Sequence, residues 1–346
     1  AIEANLTDRI VLVTGAAGSI GSEIVRQVTH FNPKLIILFD QAETPLYDLD
    51  LELREGMGFT DFHLVIGSIT DPHRLREVFR EYSPDVVFHA AAYKHVPMME
   101  ENPYEAIANN VCGTKYLTDL SVEYAVKRFV MVSTDKAVNP TNVMGASKRI
   151  CEMYVQAHAA NASTRFVTTR FGNVLGSNGS VVQRFRRQIE AGGPVTITHP
   201  EIRRYFMTIP EACQLVLEAG AMGQGGEIFV FDMGRAERIL DLARKMIMLS
   251  GYMPDQDIRI VYVGLRPGEK LYEELLANEE NTIPTHHPKI LRAKVRECDP
   301  VEVRNAINEL IAMLPTADDF AIVARMKALV PEFVSRNSRF QALDHA

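Results

Sequence analysis

Six short apolar runs alternate with amphipathic stretches through the first half of the chain: Arg9–Thr14, Leu35–Asp40, Phe62–Ile66, Asp85–Ala90, Arg128–Ser133 and Arg165–Phe171. Apolar residues recur with helical spacing in Ser19–Thr29, Pro45–Glu55, Pro72–Tyr82, Tyr104–Ala125 and Ala146–Ala159. Near-continuous apolar strands separated by helices predict a parallel sheet covered on both faces. The class is α/β, doubly wound, and such sheets bind ligands at the carboxyl ends of their strands.

Beyond Gly172 the rhythm breaks into segments punctuated by Gly and Pro. Helices are predicted at Val181–Glu190, Pro210–Ala221 and Leu240–Ser250, and short strands at Val195–Ile197, Glu227–Phe231 and Ile258–Tyr262. Asn281–Pro288 reads as a loop, followed by closing helices at Val301–Leu314 and Phe320–Leu329. The expected division is a ligand-binding domain over residues 1–172 and a smaller α+β substrate-binding cap over 173–346, with some segments returning to the first domain.

Composition narrows the class. The 346 residues are 47% hydrophobic and 23% charged, which supplies a core and excludes wholesale disorder. A formal net charge of −7 disfavours general binding to nucleic acid or anionic lipid. The four cysteines (Cys112, Cys151, Cys213, Cys298) are far apart and read as reduced thiols, with no metal site. No run of 18 apolar residues is present, so no membrane contact is expected from this segment itself. The chain begins with Ala1 rather than Met, which suggests a cut or processed chain.

The first apolar run leads into Gly15-Ala16-Ala17-Gly18-Ser19-Ile20-Gly21, a glycine loop opening a helix. Glycine lets the backbone approach a pyrophosphate, and the helix N-terminus offers it free N–H groups. The second run ends in Asp40, placed to accept hydrogen bonds from adenosine ribose hydroxyls. Asp40 would repel a 2′-phosphate, and Gln41, Ala42 and Glu43 supply no arginine to hold one. The pattern is that of a Rossmann-type sheet binding NAD rather than NADP. Helix capping is the plain alternative for Asp40.

The fifth run leads into Ser133-Thr134-Asp135-Lys136, and Met144-Gly145-Ala146-Ser147-Lys148 opens the next helix. Met144 and Lys148 stand one turn apart on one face. This arrangement is similar to that of the extended short-chain dehydrogenase/reductases, with Met144 where a tyrosine is usual. From Arg9 to about Leu276 the chain resembles the nucleotide-sugar 4,6-dehydratases, closest to the long, membrane-associated polysaccharide-biosynthesis subfamily acting on UDP-N-acetylglucosamine. The resemblance is carried by Gly15–Glu23, His89–Thr114, Val132–Arg149, Arg170–Val181, Arg203–Ala212 and Leu265–Leu276. Members of that subfamily also carry methionine at this position.

The resemblance implies C4 oxidation by NAD, elimination of water across C5 and C6, and hydride return to C6. Elimination requires a base and an acid. Lys136 is the expected base for the C5 proton and Asp135 the expected acid for the C6 hydroxyl. Lys136 must then be neutral, and a nearby nicotinamide, Lys148 and desolvation are expected to push its pKa down. Thr134 is expected to bond the C4 hydroxyl and Lys148 the nicotinamide ribose. Asp135, or a water held by Thr134, would receive the C4 hydroxyl proton.

By the same resemblance Ser68, Ile69, Ala90, Ala91 and Ala92 join Gly15, Gly18, Ser19, Ile20, Gly21, Asp40, Gln41 and Lys148 around NAD. Relatives often carry an acidic residue where Ser68 stands. Lys94, Asn173, Arg204, Arg266 and Glu269 are expected on the sugar and diphosphate, which arginine binds through its fork geometry. His95 reads as structural. The expected assembly is a homodimer, with Tyr104–Ala125 and Ala146–Ala159 pairing with a second copy as four helices. The expected location is cytoplasmic, or the cytoplasmic face of a membrane if N-terminal helices have been removed. A UDP-sugar C4 epimerase and a non-catalytic NAD-binding regulator are the alternative functions.

Overall fold

The computed structural model describes residues 1–159, 162–274, 281–295 and 299–344. The main sheet has nine strands: β1 (Ile10–Thr14), β2 (Leu35–Asp40), β3 (Phe62–Ile66), β4 (Val86–His89), β5 (Arg128–Thr134), β6 (Arg165–Phe171), β7 (Glu227–Phe231), β8 (Asn281–Pro284) and β9 (Ile290–Lys294). Their spatial order is β8-β9-β7-β6-β5-β4-β1-β2-β3. β3 through β7 in that order pair in parallel, while β9 runs antiparallel to both β7 and β8. Chain direction across the sheet reverses between β1 and β4, which opens a crevice at their carboxyl ends.

Period-two alternation explains the two faces of the sheet. Val11 and Val13 point to one side, packing with Ile24, Val25, Val28 and Leu217. Leu12 points to the other, packing with Ile37, Leu75, Phe79, Leu117 and Ile150. Each such fully buried aliphatic side chain contributes about 1.5–3 kcal/mol. A separate core, including Phe185, Ile189, Val195, Ile197, Ile239 and Ile247, lies in the part of the chain expected to form the cap.

Three expectations need correction. Asn281–Pro284, read as a loop, is edge strand β8; its pairing comes from β9 rather than from apolar alternation, and Pro284 is tolerated at an edge. The long Tyr104–Ala125 helix is interrupted by a wide π turn at Ala106–Cys112, flanked by Val96–Glu101, a helix that the periodicity did not signal. The helices Pro300–Met313 and Asp319–Leu329 join the core of the first half through Val303, Ile307, Leu310, Ile322 and Met326. Both pack on Val143–Ala159, a helix with 13 buried residues that also packs on the sheet and the neighbouring helices. The surface assigned to a four-helix pairing with a second copy is therefore occupied, in its Ala146–Ala159 half, by the chain's own closing helices.

Among the described residues no helix is long and apolar enough to cross a membrane. Cys112, Cys151 and Cys213 are free and buried, while Cys298 lies outside the described residues.

Candidate active site

The glycine loop is built for close backbone approach. Gly15 has φ +68°, and a Cβ there would stand 2.6 Å from the Ala91 nitrogen and 2.9 Å from the Ala90 carbonyl carbon. A Cβ on Gly21 would stand 2.0 Å from the Gly15 oxygen. Only glycine fits at either position, so β1, the loop and the chain after β4 close into one cradle. The helix Ser19–Thr29 begins there with unsatisfied first-turn N–H groups facing the crevice. Asn178 donates its backbone N–H to Ser19 Oγ at 3.1 Å, laying the loop after β6 across this entrance.

Asp40 does two jobs. Its Oδ2 accepts from the Ala17 N–H and its Oδ1 from the Ala42 N–H, both at 2.9 Å. It ties the glycine loop to β2 and also caps the turn into the next helix. Gln41 is exposed beside it. Ser68 turns its hydroxyl to Thr70 at 2.8 Å, whereas the Ile69 side chain is buried in the core, where a Cβ on Gly113 would meet it at 2.4 Å. The expected contact from Ile69 is thus limited to its backbone. Ala90, Ala91 and Ala92 line the chain leaving β4, with Ala90 and Ala91 against Gly15. Under this cradle His89 is fully buried between the hydroxyls of Thr14 and Thr114, and burial holds its pKa well below the usual value.

At the end of β5 the three polar residues meet. The Thr134 hydroxyl donates to Asp135 Oδ1 at 2.9 Å, and Lys136 Nζ donates to the same oxygen at 3.0 Å. Lys136 also reaches Asn173 Oδ1 at 3.3 Å. Thr134 accepts from the Lys136 N–H, so the hydroxyl caps this turn as well as facing the pair. A Cβ on Gly145 would lie 2.2 Å from the Lys136 carbonyl oxygen, so the helix carrying Met144 and Lys148 abuts the turn at Asp135 and Lys136 directly. Met144 is buried at the start of that helix, and burial lowers the pKa of Lys148. Beneath the turn, Glu152 accepts from Ser133 at 2.6 Å and from Arg170 at 2.9 and 2.6 Å, locking the ends of β5 and β6.

The expected fall in the Lys136 pKa is not found. Burial pulls it down, but the charges of Asp135 and Glu273 outweigh burial, and the net direction is upward. Glu273 stands 3.7 Å from Lys136 Nζ; it lies within the resembling segment Leu265–Leu276, where only Arg266 and Glu269 were given a role.

Among the substrate residues the structure separates two kinds. Arg204, expected in a diphosphate clamp, is 9% exposed and spends its guanidinium on the carbonyls of Arg203, Lys270 and Leu271, with Glu269 at 3.5 Å. It braces the cap loop instead of presenting a free fork. Arg266 is half-buried, and its side chain makes no hydrogen bond among the described residues; only its backbone N–H is bonded, to Glu269 Oε2. Lys94 is exposed beyond β4, with its pKa lowered by desolvation. His95 packs on Gly179, whose Cβ would lie 2.6 Å from the ring.

Sequence reasoning missed Asn110 as well as Glu273. Asn110 accepts from the Tyr93 N–H at 2.8 Å and donates to Ser147 Oγ at 3.0 Å, joining the β4 exit to the helix that bears Met144 and Lys148. Asn110 lies within the resembling segment His89–Thr114, which was the available sequence signal; the structure places it in the π turn, a feature frequent at functional sites.

Comparison with known proteins gives a family and a set of relatives. Residues 11–295 match the family model described as polysaccharide biosynthesis protein. The chain is 53% identical over 312 residues to the capsular polysaccharide biosynthesis protein CapD of Staphylococcus aureus, which covers 90% of this chain and 52% of CapD. It therefore spans about half the length of that relative. It is 34% identical to a UDP-N-acetylglucosamine 4,6-dehydratase (inverting) of Campylobacter jejuni, with 78% of each chain covered. It is equally 34% identical to a UDP-glucose 4-epimerase of Rickettsia canadensis, with 79% of each covered.

Proposed function

Since the chain belongs to the polysaccharide biosynthesis protein family, we propose that it is the catalytic part of an NAD-dependent UDP-N-acetylglucosamine 4,6-dehydratase. More coarsely, it is an enzyme of the nucleotide-sugar dehydratase and epimerase kind. The product would be a UDP-4-keto-6-deoxy-N-acetylhexosamine for surface polysaccharide or glycan synthesis. The observation carrying this reading is the Asp135–Lys136 pair at the end of β5, beside buried Met144. An epimerase needs no elimination acid and base, and methionine can neither take nor give the proton that epimerisation moves.

The residues fit NAD. Gly15, Gly18, Ser19, Ile20 and Gly21 would receive the pyrophosphate, Asp40 the adenosine ribose, and Lys148 the nicotinamide ribose. When bound, NAD would accept a hydride from sugar C4 and return it at C6. Asp135 would receive the C4 hydroxyl proton as the hydride leaves and pass it to the departing C6 hydroxyl. Lys136 Nζ, in its neutral form, would take the C5 proton and return one to C5 as the hydride reaches C6. Thr134 holds the C4 hydroxyl, Asn173 orients Lys136, and Arg266 and Lys94 supply positive charge for the diphosphate. Glu152 and Arg170 keep the two strand ends fixed, so that these groups meet without reorganisation.

The test is incubation with UDP-N-acetylglucosamine in deuterated water followed by NMR of the product. Loss of the C6 hydroxyl with deuterium at C5 is expected, and the spectrum also reads C5 configuration. A C4-inverted sugar that keeps its C6 hydroxyl would establish epimerisation instead. Binding of NAD with no change in the sugar would support a regulator.

A further inference from the structure

Glu273 belongs to the cap, in the stretch that runs on from Arg266, and it meets the sheet at the catalytic amine. Its side chain is 4% exposed; Oε1 lies 3.7 Å from Lys136 Nζ and 3.8 Å from Arg204 Nε. Its other oxygen, Oε2, is buried without a hydrogen-bond partner, and so is Asp135 Oδ2. A buried carboxylate oxygen left unpaired carries an uncompensated desolvation cost, which a purely structural ion pair would be expected to avoid. Two such carboxylates flank one lysine.

We propose that Glu273 is a positioning residue for the dehydration, anchoring the Lys136 ammonium from the cap side opposite Asp135 and so coupling cap placement to the catalytic base. The role in dehydration rests on the dehydratase reading of Lys136; the anchoring itself rests on the geometry. Lys136 is faced by Asp135 and Thr134 from its own turn and by Asn173 from the strand Asn173–Leu175. Arg204 faces it from the strand Arg203–Arg204 and Glu273 from the loop that follows Arg266; Lys270 of that loop lies within the field of Asp135 and Glu273, and the adjoining helix carries buried Lys148 and Arg149. Within this set Glu273 is the carboxylate that the cap brings to the amine. A negative charge at this distance favours the protonated amine. Removing it frees Lys136 to act as a base at lower pH. Any movement of the cap that lengthens the 3.7 Å contact has the same effect.

The experiment uses the full chain supplied with NAD. Glu273→Gln and Glu273→Asp are each labelled with acetic anhydride across a pH series, and acetylation of Lys136 is read by mass spectrometry. In Glu273→Gln the midpoint for Lys136 labelling should fall by about one pH unit, a roughly tenfold rise in labelling below the midpoint. Glu273→Asp should lie between it and the parent. The acid limb of kcat for UDP-N-acetylglucosamine should move in the same direction, with KM changed much less than the limb.

An unchanged Lys136 midpoint in folded Glu273→Gln overturns the proposal. If that variant does not fold, an unchanged midpoint in Glu273→Asp does so. A shifted midpoint in a protein that leaves UDP-N-acetylglucosamine untouched supports the anchoring and sinks the dehydratase reading instead. Turnover in the parent without any midpoint shift in the variants sinks the anchoring alone.

Discussion

Replacing Lys136 by methionine keeps the length and most of the apolar stem while removing the one group proposed to take the C5 proton. Loss of a general base typically slows the step by about 100- to 10,000-fold, or roughly 3–5.5 kcal/mol of barrier. The structure also predicts a stability cost, because Asp135 Oδ1 loses its ammonium at 3.0 Å and Glu273 its neighbour at 3.7 Å. Breaking a buried pair costs about 3–5 kcal/mol. Here the lower end applies, since the Lys136 side chain is 18% exposed and Thr134 and Arg204 still face the two carboxylates. The two effects separate in the assay. Circular dichroism and nucleotide retention establish the folded fraction, and deuterium entry at C5 is then measured per folded molecule. Met144→Ala is the companion variant: it removes packing but no proton-transfer group, so its loss should be far smaller. Full deuterium exchange in folded Lys136→Met would refute the assignment of the base. A loss in Met144→Ala as large as that in Lys136→Met would refute the division of roles.

Other perturbations test the scaffold under the site. Glu152→Gln should destabilise the fold by about 1.5–3 kcal/mol in urea unfolding, because Arg170 and Arg149 lose the charge of their buried Glu152 partner. Burial raises the Glu152 pKa, but Arg170 and Arg149 outweigh it, and the folded value lies below the usual one. The stabilisation is therefore complete above a pH of about 4.3 and is lost as pH falls through the folded value, so parent and variant should converge in acid. Gly15→Ala combines a φ of +68° with backbone 2.6 Å from the new Cβ, so it should cost at least about 2 kcal/mol and release bound nucleotide, read after gel filtration.

The parts of the fold legible from the sequence were those whose information is local. β1, the glycine loop and Ser19–Thr29 form one continuous segment, and so do β5 and the turn holding Thr134, Asp135 and Lys136. Period and loop chemistry within ten or so residues sufficed for both. What escaped depends on partners far along the chain. The direction of the Lys136 pKa is set in part by a carboxylate at position 273, which no local pattern connects to β5. Arg204 looked like a free fork because its acceptors, the carbonyls of residues 270 and 271, are backbone atoms of a different segment. β8 exists only because β9 offers it an edge. Apolar residues all round Val143–Ala159 did signal burial on several faces, but not that the covering helices come from the same chain.

That dependence on distant segments converges on Asn142, the residue that joins the catalytic helix to the cap. Its Oδ1 accepts the Gly145 N–H at 2.7 Å, satisfying a first-turn donor of the helix bearing Met144 and Lys148. Its Nδ2 donates to the Gly268 carbonyl at 3.0 Å, and the Gly268 N–H donates to the Arg336 carbonyl at 2.7 Å. One amide thus performs a capping role and a docking role, which different substitutions can separate. Asn142→Ala removes both, and loss of the cap alone costs about 1 kcal/mol. Asn142→Ser keeps an oxygen able to cap but is too short, and has the wrong donor geometry, to hold the Gly268 carbonyl. If Gly268 and its neighbours Arg266 and Glu269 are held in place for the diphosphate by this bond, Asn142→Ser should recover most of the stability. It should still show the raised KM for UDP-N-acetylglucosamine seen in Asn142→Ala. Nucleotide retention, governed by the glycine loop on the other side of the crevice, should be unchanged in both variants. A serine variant with normal KM would mean that the cap loop is positioned without Asn142, by Arg336 and by Thr141, whose hydroxyl donates to the same Gly268 carbonyl at 2.9 Å, and the docking role assigned to this amide would fall.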